Sequence, residues 1–290
     1  MIAGKKGRYA ESAMLSRRAF LLSAAVLPAF ANNRVEIGVC GPIPDFGKAV
    51  KYGFDYFEPG AAAIAGLADG AFADFHKRVV DSPLRCKRFN SFIRTLRVVG
   101  PDVQPDALTA YLNSTLDRCS QLGAEVVVWG SAASRNVPAG YSRERAWRDI
   151  QQFLRLAGDL AQSRHIVIAI EPLRKEESNI LNTGAEALRM VREVDHPQVK
   201  MIIDYYHMRQ ENEDAEIIHQ AKDAIAHLHF ANPSGRKWPK SLDEDSGYAR
   251  FFELLKSSAY RGGISIEARG SFEEDATASL AFLRSACGAR

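Results

Sequence analysis

The stretch ERAWRDIQQFLRLAGDLAQSRHIVIAIE, residues 144–171, joins two patterns of different period. In its first part Ala146, Ile150, Phe153, Leu154, Leu156, Ala157 and Leu160 recur at steps of three and four, which predicts an amphipathic helix over 144–163. IVIAI follows, apolar at every position and closed by Glu171. A strand that is apolar on both faces must be covered on both faces, as a parallel strand is when crossover helices flank it.

The same unit recurs along the chain. Strands are predicted at VEIGVC (35–40), DYFEP (55–59), KRFNSF (87–92), EVVVWG (125–130), KMIID (200–204), AHLHF (226–230) and GISIE (263–267). Helical periodicity marks 107–122, 185–194, 215–224, 248–258 and 271–287. Eight strand–helix repeats in the 259 residues from 32 to 290 predict an α/β fold, a single (β/α)8 TIM barrel. An open doubly wound sheet is the alternative, but no strand leads into the GxGxxG turn of its dinucleotide-binding form.

The N-terminus has a different character. A basic start, then Ser16-Arg17-Arg18-Ala19-Phe20-Leu21, then the apolar run FLLSAAVLPAFA ending in Ala29-Phe30-Ala31, has the three-part layout of a secretory leader. The twin arginine before Phe-Leu resembles a signal read by the Tat export machinery. The reading is therefore a twin-arginine-type signal peptide over 1–31 and a mature domain over 32–290, periplasmic or otherwise exported. Met1 and Met14 both remain as starts. The apolar run is too short for a spanning helix, so no stable membrane insertion is expected after leader removal.

The leader also explains the charge. It holds Lys5, Lys6, Arg8, Arg17 and Arg18 against Glu11, so the formal +3 of the whole chain becomes about −1 without it. The basicity belongs to targeting, and nucleic acid is not an expected partner. Cys40, Cys86, Cys119 and Cys287 form no CxxC pair, which argues against a zinc ribbon or a thioredoxin motif. Buried thiols are the expectation.

In a barrel of this kind, chemistry sits at the C-terminal strand ends. Four late strands end in groups that can hold a metal: Glu171, Asp204, His229 and Glu267; Glu58 closes the second strand. Any one of them is commonly a salt bridge or a cap. Asp204 in MIIDYYHMRQ (201–210) reads as a helix cap or as a metal ligand. Together, adjacent strands would bring the four around one point, where three carboxylates repel unless a cation or protons neutralise them. Three carboxylates and one imidazole suit one divalent ion, Mn²⁺ first, with Mg²⁺ or Co²⁺ as alternatives, and leave positions open for substrate.

The stretches GAEVVVWGSAASRNVP, IEPLRKEESNILNT, IIDYYHM, AHLHFANPSGRKWP and GISIEARG, in this order, make the chain resemble the xylose isomerase-like TIM-barrel family of sugar isomerases and epimerases, with ketose 3-epimerases and hydroxypyruvate isomerases among its relatives. The resemblance runs from about Val35 to the C-terminus. It implies that Glu171, Asp204, His229 and Glu267 hold one divalent metal, with Glu171 and Glu267 also facing each other as the acid/base pair. It implies substrate-binding roles for His207, Glu177 and Arg236, and Glu58 is a further candidate for substrate contact. The implied activity is proton abstraction beside the carbonyl of a carbohydrate through a metal-stabilised enediolate, giving epimerisation or aldose–ketose isomerisation.

Two positions depart from the family's usual pattern. Arg174 stands where asparagine often follows EPL, and WGSAAS replaces a glycine-rich loop. Export points to free or glycosylated sugars rather than sugar phosphates. A lyase acting on a 3-keto-glycoside with the same metal and base is an alternative, as is a non-catalytic periplasmic sugar-binding protein; phosphodiester cleavage would need more histidines than the chain's seven. Trp129, Tyr205, Tyr206 and Trp238 are candidates for stacking on a sugar face or for rim packing. His227 is expected to support or pack, and a homo-oligomer is compatible with the fold.

Overall fold

The computed structural model describes residues 34–288, so the leader over 1–31 lies outside the described residues. Eight strands follow one another as β1 (Glu36–Cys40), β2 (Tyr56–Glu58), β3 (Arg88–Phe89), β4 (Val126–Trp129), β5 (Val167–Ile170), β6 (Val199–Asp204), β7 (Ile225–Phe230) and β8 (Gly263–Ile266). All neighbouring strands pair in parallel, in the order β2-β1-β8-β7-β6-β5-β4-β3. β2 and β3 complete the ring through an isolated parallel bridge between Gly60 and Asn90 and the hydrogen bond from Asn90 N–H to the Pro59 carbonyl, 3.1 Å. This is the (β/α)8 TIM barrel. Among the described residues no helix is long and apolar enough to cross a membrane.

Helix Arg143–Gln162 presents Ala146, Ile150, Phe153, Leu154, Ala157 and Ala161 to the core, the stripe that its periodicity predicts, and Ser142 Oγ caps its start by accepting the Arg145 N–H at 3.3 Å. Helices at Pro105–Gln121, Gly184–Val194, Tyr248–Ser257 and Phe272–Cys287 also lie where expected. The expected helix over 215–224 is reduced to one turn, Ile217–Gln220. A separate helix, Tyr205–Gln210, starts directly at the end of β6, and hydrogen bonds from the Ala224 and Ile225 N–H groups to the Ala221 carbonyl turn the chain into β7 early. Helix Asp69–Val80 was not among the expected helices; it buries Phe72, Phe75 and Val79, spaced by three and four residues.

The strands are less uniformly apolar than expected. The main hydrophobic core lies between barrel and helices, with Ile37, Val39, Phe57, Phe89 and Val127 among its members. A second, small apolar cluster holds Val126, Val128, Ala169 and Ile202. The alternate positions of β1, β2, β3, β7 and β8 carry buried polar groups: Glu36, Glu58, Arg88, His227, His229 and Ser265. Arg88, fully buried, pairs with Glu36 at 2.9 Å and Glu125 at 3.3 Å, and its guanidinium lies 4.6 Å from the centre of the Tyr56 ring. The Tyr56 hydroxyl meets Ser265 Oγ at 2.8 Å, and Ser265 donates to Glu58 at 2.5 Å. A hydrogen-bonded polar column thus crosses the barrel interior. Gly38 makes room for it, because a Cβ there would lie 2.1 Å from the Tyr56 ring.

Candidate metal centre and substrate pocket

Strand register assembles the site. Asp204 on β6 is paired with His229 on β7, which is paired in turn with Ser265 on β8. Glu267 follows β8, its N–H bonded to the Phe230 carbonyl at 3.2 Å, and Glu171 follows β5, its N–H bonded to the Trp129 carbonyl at 3.2 Å. One ligand atom from each of Glu171, Asp204, His229 and Glu267 lies within 4.8 Å of the others. All four side chains predicted from the strand ends are therefore brought together.

Asp204 does two things at once. Its Oδ1 accepts the His207 N–H at 3.2 Å and caps the helix Tyr205–Gln210, while Oδ2 turns to the cluster, 3.4 Å from the Arg236 guanidinium. Cap and cluster member, set apart as alternatives in the sequence, are served by the two oxygens of one carboxylate.

His229 is the pivot. Its Nδ1 lies 3.1 Å from Glu171 Oε1 and 3.1 Å from Glu267 Oε2, and its Nε2 lies 2.9 Å from Glu58 Oε1. Burial opposes protonation of the ring, but the Glu58 and Glu267 carboxylates outweigh it and hold its pKa well above the ordinary imidazole range. Burial alone would raise the Glu58 pKa; the His229 and His227 imidazoles reverse this and hold it well below the usual carboxylate range. Glu58 is fully buried and also receives Ser265, so it holds the imidazoles from beneath. That corrects its expected role: Glu58 does not line the pocket and makes no substrate contact from this position. His227 spans Glu58 at 2.9 Å and the Gly263 carbonyl at 3.0 Å, a supporting place.

The two remaining glutamates are driven apart. Glu171 is raised, by burial first and then by Glu267 and Asp204. Burial works the same way on Glu267, yet His229 and Arg236 outweigh it and bring its pKa down to about 2. Arg236, in a left-handed conformation with φ 54°, places its guanidinium 2.6 Å from Glu267 and over the Tyr206 ring at 4.9 Å. The cluster attracts positive charge from its surroundings. Three carboxylates and the Nδ1 edge of a histidine, with Nε2–H held by Glu58, form a donor set that fits a hard divalent cation.

A cavity of about 430 Å³ opens above the cluster, lined by Glu171, Glu177, His207, Arg236 and Glu267 together with Asn90, Ser91, Arg94 and Ser131. His207 is buried, and its Nδ1 accepts the Arg174 N–H at 3.2 Å. That bond leaves the ring hydrogen on Nε2, which lies 3.8 Å from Asp204 Oδ2, beyond hydrogen-bond reach, and has no hydrogen-bond partner among the described residues. An unpaired buried donor at a cavity wall is a place for a ligand oxygen. Glu177 lines the same wall and pairs with Arg174 at 2.8 Å.

The four aromatics do not offer the cavity a stacking face. Trp129 is fully buried against Phe153 and donates to Ser134 at 3.1 Å; Tyr205 packs among Phe230, Tyr248 and Phe251; Trp238 packs on Phe272. The guanidinium groups of Arg174 and Arg236 lie 5.3 Å and 4.9 Å from the centre of the Tyr206 ring. The cysteines are all free thiols, two buried and two partly so.

Sequence reasoning missed Arg135. Fully buried, it donates to the Glu171 carbonyl at 2.7 Å and to the Trp129 carbonyl at 3.2 Å, tying the ends of β5 and β4 together. Burial lowers its pKa to about 10, and the Glu171 charge pulls the other way. An arginine at the end of a one-turn helix, Ala132–Arg135, gives no sequence signal of burial. Gly130 was also unremarked: a Cβ there would stand 1.6 Å from Glu171 Oε2.

The family described as xylose isomerase-like TIM barrel matches residues 46–286. The 3-dehydro-D-guloside 4-epimerase of Escherichia coli (strain K12) is 30% identical over 58% of this chain and 67% of its own length. The L-ribulose 3-epimerase of Methylomonas sp. (strain DH-1) is 35% identical over 46% of each chain, so this match spans under half of that relative. Both relatives are enzymes, epimerases of carbohydrates. A solved D-psicose 3-epimerase in the presence of D-fructose shares the fold, with a TM-score of 0.79 at 20% identity, covering 88% of this chain and 100% of that one.

Proposed function

This chain belongs to the xylose isomerase-like TIM-barrel family, an enzyme family, and we propose that within it the protein is a divalent-metal-dependent epimerase or isomerase of a carbohydrate ketone. The observation that carries the reading is the convergence of Glu171, Asp204, His229 and Glu267, with Glu171 and Glu267 of the four lining one cavity. A divalent ion held by these four, with manganese preferred to magnesium or cobalt, would polarise a carbonyl and balance the negative charge that develops as a neighbouring proton leaves.

The protein's own groups do the rest. Of Glu171 and Glu267, one takes the proton from the carbon beside the carbonyl and the other returns one. Return to the opposite face of the same carbon inverts it, and return to the neighbouring carbon exchanges aldose and ketose. His207 Nε2–H donates to a substrate oxygen, Arg236 orients Glu267 and reaches a second oxygen, and Glu177 accepts from a hydroxyl.

The leader over 1–31 belongs to the same proposal: an exported enzyme meets free or glycosylated sugars. The test is to incubate metal-loaded protein with a panel of free ketoses and 3-keto-glycosides in D₂O. Deuterium at a carbon beside a carbonyl, abolished in Glu267→Gln with sugar binding retained, is the expected result. Absence of exchange into every compound with metal bound would overturn the reading in favour of a binding protein. Replacing Arg17 and Arg18 by lysine should leave the protein in the cytoplasmic fraction; unchanged export would refute the twin-arginine assignment.

A further inference from the structure

We propose that the cavity continues into a second subsite that holds the group across a glycosidic bond, so that the substrate is a two-ring keto-glycoside. This rests on the epimerase reading and narrows its substrate class. A second cavity of about 480 Å³ lies beside the first, between the loops that follow β1, β2 and β3. Asn90, Ser91, Arg94 and Glu267 line both, so the two are lobes of one cleft with Glu267 at the junction. A sugar ring bound against Glu267 in the first lobe has the second lobe within reach of one of its substituents.

The second lobe is already formed. The Ala61 N–H donates to the Asn90 carbonyl at 2.7 Å and the Ala62 N–H to the Ser91 carbonyl at 3.2 Å, which ties the loop after β2 to the loop after β3. Ile93 N–H donates to Ser131 Oγ at 2.9 Å and anchors that loop to the next one. Ser91 holds a left-handed conformation, φ 49°, a strained backbone maintained by these ties. A main-chain lobe fixed in this way costs a ligand little ordering entropy.

Its lining suits a second ring. Ala62 and Ala63 contribute only methyl groups, and Pro42 adds a flat apolar edge. Asn90 and Ser91 present polar groups, and the Arg94 guanidinium has no ion pair or hydrogen bond among the described residues. Small apolar surface beside hydrogen-bonding groups matches the alternating faces of a hexose. A free ketose, contained by the first lobe, would leave the second unused.

The test compares methyl 3-keto-glucoside with 3-keto-maltose, in the metal-loaded wild type and in Ala63→Trp. Ala63 is exposed on helix Ala61–Ala65, so the indole fills the lobe without disturbing the core. The wild type should exchange deuterium into the disaccharide with a kcat/KM about tenfold above that for the methyl glycoside. Ala63→Trp should erase that preference and leave the methyl glycoside within about threefold of wild type, less than the tenfold that 1.4 kcal/mol produces. No preference in the wild type, or an equal loss for both compounds in the variant, would overturn the subsite. If neither compound exchanges deuterium, the epimerase reading fails, and calorimetric titration decides the subsite separately. Tighter binding of 3-keto-maltose by the wild type, lost in Ala63→Trp, upholds it; equal affinities overturn it.

Discussion

Gly130→Ala gives the sharpest test of the proposed centre, because it adds one methyl group at a place where only Glu171 is in the way. The new Cβ would lie 1.6 Å from Glu171 Oε2, 2.7 Å from Cδ and 3.3 Å from Cβ. Ordinary contact begins near 3.4 Å, so the carboxylate must retreat by about 1.8 Å, which requires a different rotamer. Metal–ligand distances tolerate about 0.2 Å, so the displaced oxygen ceases to be a ligand. A misplacement of this order in a catalytic group costs about 100-fold in rate, or about 2.7 kcal/mol of barrier. Gly130 is outside the left-handed region, the two closest atoms, Oε2 and Cδ, end a flexible side chain, and Cβ at 3.3 Å needs to give by only about 0.1 Å, so stability should change by less than about 1 kcal/mol. The assay is a double-mutant cycle with Glu171→Ala, read by metal titration and by deuterium exchange. If the methyl group acts through Glu171, the double variant is no worse than Glu171→Ala alone. Wild-type metal affinity and turnover in Gly130→Ala would refute the placement of Glu171, and additive losses would refute the mechanism.

Three further outcomes follow from the same geometry. Glu58→Gln should weaken metal binding by about 10–100-fold, the usual effect of losing a carboxylate that holds a ligating imidazole, and calorimetric titration giving an unchanged Kd would refute its role under His229. Glu36 has a pKa below its ordinary 4.5: burial pushes it up, but Lys87 and Arg88 outweigh that. The pair therefore stabilises the fold fully above that value and stops doing so as pH falls through the lowered one. Glu36→Gln should cost about 2–3 kcal/mol at pH 7, less than the about 3–5 of a buried charge stripped of its sole partner, because Glu125 stays 3.3 Å from Arg88. It should also flatten the acid limb of denaturant-derived stability, and a parallel pH profile would count against the assignment. Saturating manganese at about 1,000 times its Kd should add about 4 kcal/mol to the stability of chelator-treated protein, raising Tm on the order of 10 °C; an unmoved Tm would count against a resident metal.

The number and sequence positions of the eight strands were legible because short apolar runs alternating with period-3.6 segments report local burial, which each stretch carries by itself. The chemical identity of the strand ends was equally visible: Glu171, Asp204 and Glu267 each terminate an apolar run, His229 stands one residue before the end of AHLHF, and the last residues of a barrel strand lie at its mouth. Other features depend on contacts between residues far apart in sequence. Glu58 looked like a rim residue, but the barrel turns it inward, where His227 and His229, about 170 positions later, occupy both of its oxygens. Arg88, Tyr56 and Ser265 form a buried column whose members lie on three strands, and no one strand announces it. Asp204 appeared to require a choice between cap and ligand, and only the orientation of its two oxygens showed that both are served. The sequence by itself determined the barrel and the donors at its mouth, through local periodicity and strand termination. The tertiary structure decided which of those donors meet, which are held from below, and that Gly130, on the neighbouring strand's loop, leaves the space Glu171 occupies, because those outcomes depend on distances closed only when β2, β4, β5, β6, β7 and β8 come around one axis.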